Sequence, residues 1–414
     1  MASAARYRRT NLLTASRQVR KRELCSRTPK KFPVIISTMH THIDFMNLAL
    51  TLARRGQGDV EPNPMVGAVI VRDGIVLGQG WHKKFGGPHA EIEAFLDAKR
   101  NGADVRGAEM YVTLEPCCHY GKTPPCAKAI IESGVAKVYI AMRDPNPKVD
   151  GGGMKMLTDA GIEVVAGICQ QDAQTLNQPF VKYITRRRPW VIAKWAQTLD
   201  GKIAARDGSS QWISNESSRA VVHELRSRVD AVIVGAGTFF HDNPTLTARL
   251  PEGREPHRKA VRVVFGLHKS TRQEMESFFR QSNLFKTQAL APVWLTWDDG
   301  EITDPFTSAV LSESLEAPSF PARFNRLLER LADSGATNVL IEGGGRLLGS
   351  LLDADLIDEV HAFIAPQLLC GGADAVSPLM GLGASSMSQA KKLVGIKTQL
   401  LDGDVYVQGR ISNV

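Results

Sequence analysis

"LEPCCHYGKTPPC", residues 114–126, holds three of the chain's six cysteines, two prolines ahead of the last one, and a histidine and a lysine between them. A disulfide, a structural metal clip and a catalytic metal site each ask something different of such a stretch, and the choice decides what the surrounding fold must present. Six thiols in 414 residues make no disulfide framework, and half of them crowd into ten residues. That usage points to a reducing compartment, where clustered thiols bind metal or do chemistry.

Around this stretch the pattern alternates helix and strand. "DFMNLALTLARR" (44–55) has helical apolar spacing, and "MVGAVIVRDGIVLGQG" (65–80) reads as a hairpin turning at Asp73-Gly74. "PHAEIEAFLDAKR" (88–100) is a helix with Pro88 in its first turn. "AEMYVTLEP" (108–116) is a buried strand, and "PCAKAIIESG" (125–134) a helix opened by Pro125 and closed by Gly134. A strand at "AKVYIAMRDPNP" (136–147) and a helix and short strand in "GGGMKMLTDAGIEVVAG" (151–167) complete an α/β unit.

The basic, proline-containing "TRRRPW" (185–190) marks a boundary, so the expected domains are 39–187 and 188–414. Beyond it come strand "WVIAKWAQ" (190–197), helix "NESSRAVVHELRSRV" (215–229) and strand "DAVIVGAGT" (230–238). Residues 267–335 are the least legible, with "APVWLTW" (291–297) the one strong strand. "TNVLIEGGGRLLGSLLDADL" (337–356) gives a strand, a glycine turn and a helix, and "DEVHAFIAPQLL" (358–369) a further strand. The reading is two α/β domains in tandem.

Composition sets limits. With 43% hydrophobic and 23% charged residues the chain is ordinary globular material. No run of eighteen uncharged apolar residues is present, so no membrane span is expected. The net charge of +8 is all in residues 1–38, where ten Lys/Arg face Glu23 alone; the remainder carries −1. That tail reads as an organellar transit peptide, an overlong gene start ahead of Met39, or a nucleic-acid-binding arm, and no reading puts it inside the fold. The location expected is cytoplasmic, or a plastid or other organelle if the tail is a transit peptide.

His89 and Glu91 share a helix mouth, and Cys126 occupies the equivalent place after a Pro-Pro start. Two helix N-termini aimed at one point favour thiolate over thiol. One imidazole and two thiolates suit zinc, with water as fourth ligand and no net charge on the group. A carboxylate beside that water, not itself a ligand, can shuttle a proton. His-x-Glu followed by Pro-Cys-x-x-Cys is the signature of zinc nucleobase deaminases. Here Pro116-Cys117 begins the second half, but beyond the adjacent Cys118 the next cysteine is Cys126. A purely structural clip is the competing reading; it normally takes four protein ligands, and no fourth is in view.

"NPMVGAVIV" (63–71), "HAE" (89–91) and "TLEPCCHYGKTPPC" (113–126) together resemble the deaminase domain of the bifunctional riboflavin-biosynthesis deaminase/reductase family. The resemblance implies a cytidine-deaminase-like α/β/α domain with one zinc per chain held by His89, Cys117 and Cys126, Glu91 as the catalytic acid/base, and Cys118 a bystander where the family usually has serine. It also implies a diaminopyrimidinone ribosylamine 5′-phosphate as substrate. Asn63 matches the position that binds the ring, His119 and Lys122 substrate contacts towards the phosphate, and Asp144 and Asn146 contacts on the sugar side.

Read alone, the second half offers one hint: "LIEGGGRLLG" (340–349) puts three glycines between strand and helix, as phosphate-approaching backbones do, although such turns also serve tight packing. "KWAQTLDGKIA" (194–204), "SQWIS" (210–214), "VGAGTFFHDNPTLTAR" (234–249) and "EGGGRLLGSLL" (342–352) resemble, in order, motifs of the reductase half of the same family. This implies a dihydrofolate-reductase-like α/β domain that binds NADPH. Cofactor positions would be Ala196, Trp212, Thr238, Asp242 and the turn of Gly344, Gly345, Arg346, Leu347, Leu348, Gly349 and Ser350. Ser210, Arg226, Leu246, Arg249 and Glu342 would contact the ribosyl-phosphate substrate, and Lys194 or Asp242 would assist protonation. The resemblance spans 42–414. The partners expected are this small molecule and a second copy of the chain, without nucleic acid or membrane. Two other readings remain: a deaminase whose reductase fold is inactive, and a zinc-containing nucleic-acid-binding or editing protein.

Overall fold

A computed structural model describes residues 41–120, 124–147, 149–307, 309–312, 319–371 and 375–412. The first half runs α1 (His42–Ala53), β1 (Gly67–Arg72), β2 (Ile75–Trp81), α2 (Ala90–Arg100), β3 (Glu109–Leu114), α3 (Cys126–Ser133), β4 (Lys137–Met142), α4 (Gly152–Asp159), β5 (Glu163–Ala166), α5 (Gln170–Leu176) and α6 (Gln178–Arg186). A capping box between Thr41 and Asp44 starts α1. The β1–β2 hairpin turns where the sequence placed it, with Asp73 and Gly74 both at positive φ.

The five strands lie in the order β2-β1-β3-β4-β5, antiparallel through β3 and parallel beyond. Gly67 and Gly80 make the two faces legible. A Cβ on Gly67 would fall 2.0 Å from the Ala49 carbonyl of α1, and one on Gly80 would fall 2.4 Å from the Ala94 nitrogen of α2. The two glycines point to opposite faces, since Ala68, next to Gly67, pairs with Gly80. Helices therefore cover both faces, an α/β/α sandwich closed over a core that includes Met46, Leu50, Val69, Met110 and Ile140.

Strand β6 (Trp190–Thr198) opens the second sheet. It is followed by α7 (Glu216–Arg228), β7 (Ala231–Gly235), α8 (Ala236–Asp242), β8 (Val261–Leu267), α9 (Arg272–Gln281), α10 (Asn283–Lys286), β9 (Val293–Trp297), β10 (Ile302–Thr303) and β11 (Val310–Ser312). Then come α11 (Phe320–Asp333), β12 (Asn338–Glu342), α12 (Gly345–Asp353), β13 (Glu359–Ala365), β14 (Leu393–Leu401) and β15 (Asp404–Ile411). The ten strands are ordered β11-β10-β9-β8-β7-β12-β6-β13-β15-β14. Strict alternation divides the core. Val191, Ala193, Ile233, Val263 and Ile341 pack under α11 and α12. Ile192, Val232, Val234, Val264 and Leu340 pack under α7 to α10. In sheet order β9, β8, β7, β12, β6 and β13 are parallel, and β7 and β12 end side by side, the position at which open α/β sheets bind ligands.

Three readings from sequence are corrected or extended. Pro88 does not sit in the first turn of α2: His89 is the N-cap, so Pro88 lies outside and its carbonyl is free of the helix to accept from His82 Nδ1 at 2.9 Å. Helices α5 and α6 occupy 170–186, where no element was expected. The C-terminal hairpin β14–β15 extends the sheet beyond the last strand read from sequence. No helix among the described residues is long and apolar enough to cross a membrane.

Candidate active sites

His89 caps α2 and Cys126 is the first residue of α3, so two helix N-termini meet at one point, joined by Cys117 from the loop after β3. The ligand atoms of His89, Cys117 and Cys126 all lie within 4.8 Å of one another, the one such cluster among the described residues. His89 Nδ1 is 3.2 Å from Cys126 Sγ and 3.7 Å from Cys117 Sγ, and the Cys126 N–H donates to Cys117 Sγ at 3.2 Å. A tetrahedral zinc with bonds of about 2.0 Å to nitrogen and 2.3 Å to sulfur requires donor separations of roughly 3.5 Å, so the set fits that ion. Cys118 turns away, its Sγ 3.9 Å from the Val149 carbonyl.

Hydrogen bonding from Cys126, assisted by His89, holds the Cys117 thiol down to about 4. The neighbouring thiolate and burial push Cys126 up, and the bond to Cys117 raises His89. Without a cation the trio therefore keeps protons that a divalent ion would displace, so binding is coupled to proton release. Glu91, in the first turn of α2 and 3% exposed, is raised by burial.

Beside the trio opens a cavity of about 400 Å³ lined by Asn63, His82, His89, Glu91, Glu115, Cys117, His119, Asp144 and Asn146. Of the residues expected to touch substrate in the first half, Asn63, His119, Asp144 and Asn146 thus converge; Lys122 lies outside the described residues. Burial pushes Asp144 up to about 6, and its Oδ1 accepts from the Asn146 N–H at 2.9 Å. Several members of this site escaped sequence reasoning. His82 bridges the Pro88 carbonyl and the Asn63 amide (3.2 Å) and is kept low by burial, so its neutral ring accepts from Asn63 and leaves that amide's oxygen for a ligand. Glu115 accepts backbone N–H groups from Asp144, Gly151, Gly153 and Met154 at 3.0–3.3 Å, tying the loop after β4 to the start of α4. Phe180, Tyr183 and Ile184 of α6 form the apolar wall. A lone His, a lone Glu and an unread helix gave no motif to follow.

In the second half, Glu342 at the end of β12 makes a bidentate pair with Arg226 of α7, at 2.5 and 2.8 Å. Burial pushes Glu342 up, but Arg226 overrides it and holds the carboxyl down to about 2. Lys194 Nζ is 4.0 Å from Glu342, and burial lowers its pKa. Arg249 donates to Thr245 Oγ1 at 2.8 Å, and its backbone N–H to His223 Nδ1 at 3.3 Å. Burial and the two arginines depress His223 to about 4, another group the sequence did not flag. Ser210 Oγ donates to Asp242 Oδ1 at 3.4 Å, and burial raises Asp242.

Thr238 of α8 faces the turn before α12: a Cβ on Gly344, whose φ is +78°, would lie 3.3 Å from Thr238 Oγ1. The Arg219 guanidinium lies 4.6 Å from the centre of the exposed Trp212 ring. The expected cofactor turn divides. Gly344, Arg346 and Ser350 face outward to differing degrees. Leu347 and Leu348 point into the core, and Gly349 abuts Met380 and Gly381, so these three can offer a ligand only backbone. Leu246, 3% exposed at φ +55°, is in the same position, and Ala196 packs against the Phe363 and Tyr406 cluster.

Residues 39–142 match the cytidine and deoxycytidylate deaminase zinc-binding region, and residues 189–405 match the RibD C-terminal domain. Among curated relatives, the riboflavin biosynthesis protein RibD of Actinobacillus pleuropneumoniae is 39% identical over 368 residues, covering 89% of this chain and 94% of its own. That of Aquifex aeolicus is 38% identical over 365 residues, covering 88% and 97%. Among solved structures, a diaminohydroxyphosphoribosylaminopyrimidine deaminase/5-amino-6-(5-phosphoribosylamino)uracil reductase from Thermotoga maritima superposes with a TM-score of 0.72 at 36% identity, covering 89% of this chain and 98% of its own. Acinetobacter baumannii RibD gives 0.74 at 32%, covering 90% and 99%.

Proposed function

Because the chain belongs to the RibD family of bifunctional riboflavin-biosynthesis deaminase/reductases, we propose that its two sites act in succession on one pyrimidine. A cytidine-deaminase-like domain is followed by a dihydrofolate-reductase-like one, and both halves are present. The first removes the C2 amino group of 2,5-diamino-6-ribosylamino-4(3H)-pyrimidinone 5′-phosphate by hydrolysis. The second reduces the ribosyl chain to ribityl with NADPH. Domain limits of 39–187 and 188–414 go with this reading, residues 1–38 being an extension.

One observation carries it: an imidazole nitrogen and two cysteine sulfurs at zinc spacing, with Glu91 beside them in a polar-walled cavity. Zinc, one per chain on His89, Cys117 and Cys126, would supply a lowered water pKa. Glu91 takes the proton of the attacking water and delivers it to the departing amine. Asn63, its amide oriented by His82, accepts from the ring edge, while Asp144 and Asn146 hold the sugar and His119 and Lys122 the phosphate end. In the second site NADPH would supply the hydride. Trp212, Thr238 and the Gly344–Ser350 turn hold the cofactor, with Arg226 and Arg249 on the phosphate. Lys194, its ammonium kept beside Glu342, is placed to give a proton as the sugar ring opens.

Incubation of purified protein with the diaminopyrimidinone substrate, with and without NADPH, tests both halves. Ammonia release without NADPH, then NADPH oxidation when it is added, is expected. No ammonia removes the first assignment, and ammonia without NADPH consumption removes the second. A reducing, cytosol-like compartment goes with this reading, since the sulfurs of Cys117 and Cys126 are gathered with His89 as a metal-type donor set. The nine-residue edge strand β14, with Ile396 and Leu400 exposed, suits pairing with a second copy, which a mass measurement in solution would detect as a dimer.

A further inference from the structure

The loop from Gln57 to Asn63 is built as part of the first site but held by the second half. Asn63 stands between two anchors. On its C-terminal side, buried Asn177 accepts from the Met65 N–H at 2.9 Å and donates to the Met65 carbonyl at 3.0 Å. On its N-terminal side the anchor is Arg258, which lies in the connection between α8 and β8. Its Nε donates to the Gly58 carbonyl at 3.0 Å, and its Nη2 donates to the Glu61 carbonyl and sits 3.5 Å from the Glu61 carboxylate. Its Nη1 donates to Asp230 Oδ1, whose other oxygen accepts from the Thr337 and Asn338 N–H groups at the start of β12.

Flanking contacts follow the same seam. Arg228 donates to Gln57 at 3.0 Å, and His257 Nδ1 meets Asp59 at 3.0 Å. Gly58, at φ +91°, lies so close that a Cβ there would be 3.1 Å from the Cβ atoms of both Arg228 and His257. The Asp59 carbonyl in turn accepts from the N–H of Phe85, a cavity residue. A guanidinium fork spreading over two carbonyls and two carboxylates fixes both position and angle, which a single contact would not.

We propose that Arg258, a residue of the reductase half, is a positioning residue for the deamination site: it pins the 57–63 loop so that Asn63 meets the pyrimidine ring at the correct distance. This rests on the assignment of Asn63 as the ring-binding residue. A consequence is that the deaminase half depends on its partner domain for substrate binding, not for metal.

The test measures both activities of full-length Arg258→Ala, Arg258→Lys and Gly58→Ala. Deamination is followed as ammonia release without NADPH, and reduction with deaminated product made beforehand by the unsubstituted protein. Arg258→Ala is expected to lower deaminase kcat/KM about tenfold, chiefly through KM, because Asn63 holds ground state and transition state alike. Zinc stays stoichiometric and reductase constants stay within about twofold. Lysine, which can reach one partner but not all, restores part of the loss. Gly58→Ala reproduces the defect from the other side of the seam, and serves should Arg258→Ala fail to fold. Unchanged deaminase constants, an equal loss of both activities, loss of zinc, or a loss confined to kcat overturns the proposal. If the unsubstituted protein itself releases no ammonia, the functional assignment has failed instead.

Discussion

Cys117 and Cys118 show how far adjacent residues can differ in chemistry. Cys117 faces His89 and Cys126 and is held as a thiolate, while Cys118 faces the Val149 carbonyl. Cys118→Ser should leave zinc content and ammonia release within about twofold of the unsubstituted protein, since a surface-type change away from the ligands costs little. Loss of metal would mean that the other thiol is the ligand. Asp144 sets a pH limit of its own. With burial raising it to about 6, it is an acceptor above that pH and takes up a proton below it. Deaminase kcat/KM should fall as pH drops through about 6, and Asp144→Asn should give a lower, flat profile over that range; an unaltered acid limb in Asp144→Asn would assign it to another group. His89, Glu91 and Cys117 stood out through His-x-Glu and Pro-Cys, while Cys126, off the expected spacing, was reached through the family resemblance; the structure puts it within 4.8 Å of the other two ligand atoms. His82 and Glu115 were not legible, because each acts through a backbone or amide partner that only folding brings near.

Elements explain why those residues converge. The N-termini of α2 and α3 present His89 and Cys126, and Glu115 fastens the β4–α4 connection that carries Asp144 and Asn146. Two carboxylate oxygens serving four N–H groups cannot be replaced by one amide oxygen. Glu115→Gln should cost about 2–3 kcal/mol in denaturant unfolding and raise the deaminase KM with zinc retained; an unchanged midpoint and KM would show the cluster to be dispensable. The hairpin, α1 to α4 and strands β6, β7, β9, β12 and β13 followed from periodicity and turn residues, whereas β8, β10 and β11 did not. Helix α6 did not, because only Phe180 of its residues is deeply buried and its Tyr183 and Ile184 face a cavity instead of a core. The β14 strand is exposed almost throughout, so it lacks the alternation that marks a half-buried strand. At the β12–α12 turn the glycines left phosphate approach and tight packing open; the structure shows Gly345 and Gly349 packed against Ser377, Met380 and Gly381, and the sequence could not say which of the following residues turn inward.

The two halves meet along contacts that no sequence window contains: Arg258 with Glu61, Lys182 with Asp358 at 2.5 Å, and Arg410 with Gln178 at 2.8 Å. Residues 1–38 carry the excess positive charge of the sequence. A chain starting at Met39 should keep both activities at full rate with no altered salt dependence, whereas a nucleic-acid binder would lose affinity and its salt slope. All of this depends on the geometry around Glu91, and one paired measurement tests it most directly: zinc content and ammonia release of Glu91→Gln. Full zinc occupancy with turnover reduced by roughly 10²- to 10⁴-fold is expected for loss of a proton shuttle. Full occupancy with near-normal turnover, or an active protein that holds no zinc, would contradict the account.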